Sequence, residues 1–279
     1  MILQKNGSDG SVLVISQVAH SWMSGQMARE WGNAQFLGFE PWEHMCYAAE
    51  QHDAGYFEWE EHPRWNPATG LPCTFEELPI SEHVTVWRRS IRRLQPVSVY
   101  AALMTSFHFC RLCAMHDREG SEGDAQVARI FLEEQREYQK ELLQRVCEDW
   151  STLFACSEEA LARNHKLIAA WDLLSLQLSR NPWKAFEVGE VPQAGQQQHG
   201  RLSVSPSEAG ERVLHVEPWP FHPARVQLCC EGYLLERPLR SQEDLDDTLT
   251  AKRFVRLPIR YVLLPKGETP ESSPRAGRP

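Results

Sequence analysis

A histidine and an aspartate close the apolar stripe of the segment 41–55, PWEHMCYAAEQHDAG. Met45, Ala48, Ala49 and His52 recur at i, i+3, i+4 and i+7, so a helix here turns these side chains inward, with Gly55 as its stop signal. Asp53 follows the imidazole at the buried end. Burying a carboxylate is costly unless it is paired with a cation or hydrogen-bonded, and neutral imidazole is the commonest protein ligand for metals. The pair therefore needs partners from elsewhere in the chain.

Helical periodicity supplies them. After SVLVI, a strand-like run, Ser16 caps a helix whose inward face reads His20, Met23, Met27 and Trp31, ended by Gly32-Asn33. Ser81 caps a helix with Ile80, His83, Val84, Trp87, Ile91 and Leu94 on its stripe, and Pro96 opens another that carries Val97, Tyr100, Met104, His108 and Leu112. A later helix, 157–178, puts His165 and Asp172 on one face with Leu161, Ile168 and Leu176. Asp172 is thus an acid on a core stripe, which requires a cation or a strong donor. The long amphipathic helix 124–150 between them carries only apolar residues inward and reads as scaffold. A second His-Asp pair, His116-Asp117, lies in the polar stretch HDREGSEG and reads as solvated loop.

Composition excludes several functions. A net charge of −9 over 279 residues leaves no broad basic face, which argues against nucleic acid as a partner. No run of eighteen apolar residues exists and the first residues contain no hydrophobic core of a signal peptide, so neither a membrane span nor secretion is expected and the cytoplasm is the default. The eight cysteines lie mostly in apolar helical or strand-like patterns, where reduced core thiols fit better than disulfides.

The segment 56–77 is rich in Trp, Pro and acids and has neither a helical nor a strand period; it reads as a long loop that starts at the rim of the His-Asp site and covers it, touching substrate through Tyr56, Glu60 and Arg64. Residues 188–211 are rich in Gly, Gln, Pro and Ser, and β-type runs follow. The expected architecture is mainly α, a helical bundle with a small C-terminal antiparallel β subdomain. Its parts are a metal-binding helical domain 11–182, a linker 183–203, a β-rich subdomain 204–265 and a disordered tail 266–279.

The order His20, His52-Asp53, His83, His108, Asp172 resembles the H…HD…D pattern of the HD-domain superfamily. Within it, HDAGYFEWEEHPRWNPATG, HVTVWRRSI, YAALMTSFH and AWDLLSL look like the uncharacterised bacterial DUF3891 proteins, and the resemblance extends to the tail with its PWPF. It implies an HD-like bundle in which His20, His52, Asp53 and Asp172 hold one metal ion, while His83 and His108 complete a second site bridged by Asp53. Such nitrogen and oxygen ligands suit one or two divalent transition ions, Fe or Mn first, with Zn, Co and Ni also compatible. His165, on the stripe of Asp172, is the rival ligand or an outer partner.

The implied activity is hydrolysis of a phosphate ester or similar small molecule, with Asp53, Tyr56, Arg88 and Arg92 as the catalytic set. Arg88 and Arg92 follow His83 in RRSIRR and flank the buried stripe; a solvated basic face is the competing reading. HDAGY lacks the Lys of the common HD-x-G-K form, a departure from many phosphohydrolases. Two alternatives stand beside hydrolysis: a di-iron oxygenase of the same ligand order, and a non-catalytic, metal-stabilised binding module.

Overall fold

The computed structural model describes residues 1–6, 10–119, 122–194, 199–250 and 255–270. Two strands open the chain, β1 (Ile2–Asn6) and β2 (Ser11–Ile15). Ser16 then caps α1 (Gln17–Glu30), its hydroxyl accepting from the Ala19 N–H, and Gly32, at a φ of +117°, turns the chain away after the helix. Next come α2 (Trp42–Gln51) and a short α3 (Phe57–Glu61), followed by a hairpin of β3 (Trp65–Asn66) and β4 (Leu71–Pro72). The main helices are α4 (Ile80–Leu94), α5 (Val99–Glu119), α6 (Glu122–Glu148) and α7 (Glu158–Arg180). The rest is β5 (Phe186–Pro192), β6 (His199–Pro206), β7 (Val213–Glu217), β8 (Val226–Leu235), α8 (Gln242–Thr250) and β9 (Val255–Pro265).

The expectation of a mainly α bundle with a small antiparallel β appendage is overturned. The chain is 51% helical and 22% strand, and its seven-stranded sheet is curled and mixed, in the order β1-β2-β8-β9-β7-β6-β5. Strand β1 pairs with β2 and β2 with β8, and β7 runs parallel to β9 while the other pairs are antiparallel. Strand β5 occupies the stretch read as a linker. Its sequence, and that of β6, is half polar because only one face is covered: Val188, Val191, Leu202 and Val204 are buried, while Glu187, Glu190, Arg201, Ser203 and Ser205 are exposed. Residues 271–279 of the expected disordered tail lie outside the described residues, while β9 and the turn after it extend to residue 270.

The sheet is covered on both sides where β2 runs. Leu13 and Ile15 join the main core with α1 and α7, while Val12 and Val14 face a smaller cluster with Leu235, Leu239 and Leu245, flanked by Trp65 and Leu71. The main core is anchored by Trp171, fully buried, with Trp31 and Phe39 edge-on to its ring. Full burial of one such side chain contributes about 1.5–3 kcal/mol. Helix α4 reaches the end of α2 through Gly55, where a Cβ would stand 2.2 Å from the Val86 carbonyl oxygen. No other residue fits that crossing.

Some helix ends depart from the spacing-based reading. Pro79, not Ser81, precedes α4, and α5 begins after Ser98, whose hydroxyl accepts from the Ala101 N–H, leaving Val97 exposed rather than inward. Helix α5 also continues through Glu119, across the stretch read as a polar loop. Among the described residues no helix is long and apolar enough to cross a membrane.

Candidate metal centre

Four side chains from three separate stretches of chain meet at one point. His20 comes from the second turn of α1, His52 and Asp53 from the end of α2, and Asp172 from α7. Their packing together follows from the apolar neighbours they share a stripe with, Met23 and Met27, Met45 and Ala49, Ile168 and Leu176. His20 Nε2 lies 2.8 Å from Asp53 Oδ2 and 3.8 Å from Asp172 Oδ1; His52 Nε2 lies 3.6 Å and 3.2 Å from the same two oxygens.

The opposite ring nitrogens fix what those atoms carry. His52 Nδ1 is 2.9 Å from the Ala49 carbonyl, which can only accept, so Nδ1 holds the hydrogen. His20 Nδ1 is 2.8 Å from Ser175 Oγ, and when that hydroxyl donates to the Asp172 carbonyl at 2.9 Å it accepts from this Nδ1. With both Nδ1 atoms donating, the Nε2 atoms of neutral rings turn lone pairs toward two carboxylates. That arrangement is repulsive unless a cation lies among the four groups.

A proton is one such cation. Burial opposes charge on His52, but Asp53 and Asp172 outweigh it and push its pKa up to about 9. Asp172 is held well below the usual carboxylate range: burial alone would raise it, and the hydrogen bond from His52 together with the surrounding imidazoles of His108, His52 and His20 prevails. A divalent transition ion fits the same donor set, two imidazole nitrogens of fixed tautomer and two carboxylates, with backbone and hydroxyl groups already orienting the rings.

His108 and His83 stand around this nucleus differently. The ligand atoms of His20, His52 and Asp53 lie within 4.8 Å of one another, and so do those of His52, His108 and Asp172. His108 Nε2 is 3.6 Å from Asp172 Oδ2, its Nδ1 has no hydrogen-bond partner among the described residues, and burial pushes its pKa down to about 3. It thus sits as a neutral ring, able to ligate. His83 belongs to neither close group; its Nδ1 is 3.0 Å from the Tyr56 hydroxyl and its ring packs on Trp87. The pairing of His83 with His108 implied by the family pattern is therefore looser than the pairing of His108 with His52 and Asp172.

All of these groups but His52 line one cavity of about 360 Å³, together with Gln17, Tyr56 and Trp87, and with Phe75 and Glu76 from the segment 56–77. Gln17 is 2% exposed, and its Oε1 has no partner among the described residues, an acceptor that a molecule in the cavity can satisfy after a turn of the amide. A larger cavity, about 680 Å³, is bounded by α1, α3 and β8 and contains none of these histidines.

The arginines expected at the site are not there. Arg88 pairs with Glu134 and lies over the Phe131 ring, and Arg88 and Arg92 border other surface depressions. At 100° per residue they lie about 140° and about 180° around α4 from His83, so they face away from its stripe. The cation that does line the cavity is Arg180, at the end of α7. It was missed because it falls at the helix terminus, yet its spacing of i+8 from Asp172 puts it on the same half of the helix as Leu176.

Segment 56–77 contains local structure rather than a plain loop. Tyr56 ends a 3₁₀ turn, Ala54–Tyr56, and points into the site, while Phe75–Glu77 forms another with a Thr74–Glu77 capping box. Glu60 turns away, accepting from Gln17 N–H at 2.8 Å and facing the Met1 nitrogen at 3.0 Å, and Arg64 pairs with Glu82. Trp65 donates its indole N–H to the Leu239 carbonyl. Only its two ends border the cavity. His165, the rival ligand, is in neither close group, and its ring packs on Phe107.

A family model described as a protein of unknown function, DUF3891, matches residues 1–237. No curated protein and no solved structure matches the chain.

Proposed function

This chain belongs to the DUF3891 family, whose description assigns no activity, and from the site itself we propose a metal-dependent hydrolase of the HD type acting on a small phosphate ester. The observation that carries this reading is the convergence of two Nε2 atoms, of His20 and His52, on the carboxylates of Asp53 and Asp172 beside a cavity of ligand size that His20, Asp53 and Asp172 line. His20, His52, Asp53 and Asp172 would hold one ion, with His108 adjoining through Asp172 and His83 on the cavity wall. The chemistry such an ion supplies is Lewis acidity toward water and a phosphoryl oxygen.

The chain's own groups do the rest. Ala49 and Ser175 hold the two rings in the tautomer that leaves Nε2 free. Tyr56 holds the His83 ring by its Nδ1, so a ligating His83 would carry its hydrogen there and donate it to the phenol oxygen. The apolar walls of Phe109, Leu112 and Leu176 keep bulk water from the reacting group. Arg88 and Arg92 have no part in this reading. Eight free cysteines fit a reducing compartment, in agreement with a cytoplasmic enzyme.

The test is metal analysis of protein purified without chelator, followed by a phosphatase and phosphodiesterase panel under air and under nitrogen. Hydrolysis is expected with Mn in either atmosphere, and it should vanish in His52→Ala. Turnover that requires both iron and dioxygen would replace this reading with that of an oxygenase. Bound metal with no turnover in either atmosphere would favour a binding module.

A further inference from the structure

The cavity is polar at its two ends and apolar between them. At the inner end lie His20, Asp53, His108 and Asp172; at the outer end Arg180 is the one Lys or Arg among the described lining residues. The apolar lining residues are Phe75, Phe109, Leu112, Met115 and Leu176, of which Leu176 falls between Asp172 and Arg180 on α7. Arg180 follows Asp172 by eight residues on α7, about 12 Å along the helix axis. The two ends are therefore held apart by a rigid element.

Building on the hydrolytic reading of the centre, we infer that Arg180 anchors a second acidic group on the substrate, so that the ligand is an apolar chain or ring with a phosphoryl group at one end and another anion at the other. Three features support this. The Arg180 guanidinium lies over the Phe75 ring, 5.3 Å from its centroid, and both residues line the cavity. Its ion-pair partner Glu76 also lines the cavity, and the two side chains are 31% and 56% exposed, so the pair is a weak one that a ligand anion can join or displace. The planar fork of an arginine matches a carboxylate or a phosphate through two parallel hydrogen bonds.

The test uses two non-hydrolysable probes of equal length, hexylphosphonate and 6-phosphonohexanoate, which differ by a terminal methyl against a carboxylate. Calorimetric titration of the Mn-loaded wild type is expected to show the carboxylate-bearing probe binding at least about tenfold more tightly. Arg180→Gln should abolish that advantage while leaving hexylphosphonate within about twofold of its wild-type affinity, and Glu76→Gln should widen it. Equal binding of the two probes by the wild type, or an advantage that survives in Arg180→Gln, overturns the inference. Failure of the metal reading shows separately: hexylphosphonate would then bind equally with and without metal and in His52→Ala, while the contrast between the probes still reports on Arg180. Binding of neither probe overturns both.

Discussion

His20 Nδ1 and Ser175 Oγ are 2.8 Å apart, joining the first helix of the site to the last. Ser175 is fully buried, and Ser24 Oγ lies 2.8 Å from it on the α1 side. The hydroxyl thus fixes the ring orientation, and by donating its single hydrogen to the Asp172 carbonyl it accepts from His20 Nδ1 and sets the tautomer.

Ser175→Ala is therefore expected to weaken metal binding without dismantling the fold. The His20 N–H loses its acceptor in a buried place, at a cost of about 1–3 kcal/mol in stability. Loss of a group that orients a ligand lowers metal affinity by about 10–100-fold. Competition against a chromophoric chelator measures the second effect. Unchanged affinity would mean that His20 is not held through Nδ1.

How far the site was legible in the sequence depends on the range over which each residue's position is set. His20, His52, His83, His108 and Asp172 sit on helical stripes, and a period of 3.6 residues reports which way a side chain points before any partner is known. What periodicity does not report is how far each helix leans toward the centre, and this is why His83 stands apart with Tyr56 while His108 closes on Asp172. Arg88 and Arg92 were legible but misread, since helical phase turns both away from His83. The sheet was harder. Val12 and Val14 look like any short apolar run until their pairing with Leu235 and Tyr233 is known, and β5 has the composition of a linker because its exposed face is polar and a bulge separates Val188 from Val191. Strand pairing across more than two hundred residues leaves no local trace.

Gly55→Ala tests whether the crossing of α2 and α4 positions the site. The added methyl would meet the Val86 carbonyl oxygen at 2.2 Å and the Ser90 nitrogen at 2.7 Å, both backbone atoms that cannot rotate aside. The Gly55 N–H also donates to Ser90 Oγ at 2.8 Å, so the two segments are bonded as well as packed. Overpacking of this kind costs about 1–3 kcal/mol or more, and it acts two residues from Asp53. Lower thermal stability together with reduced metal content is expected; reduced stability with full metal content would show that the site tolerates a displaced α4.

His165 makes the stability of the metal-free protein depend on pH. Burial, reinforced by Arg111 and Lys166, pushes the pKa of this imidazole down to about 4, and its Nε2 has no partner among the described residues. In the unfolded chain the value is about 6.5. The folded value is the lower one, so between about pH 6.5 and pH 4 the unfolded chain binds more protons and stability falls as the pH drops; above about 6.5 the full contribution is retained. His108, also pushed down, adds a slope of the same sign in the metal-free protein, which is why the comparison must be made against a variant that changes His165 alone. Urea unfolding of metal-free wild type and His165→Leu at pH 7.5 and pH 5 provides it. The wild type is expected to lose about 2 kcal/mol more than the variant between the two pH values, the amount that a shift from about 6.5 to about 4 yields at pH 5. Equal losses would mean that His165 takes up its proton in the folded protein as readily as in the unfolded one, and that its ring is not confined against Phe107 and the rest of that wall.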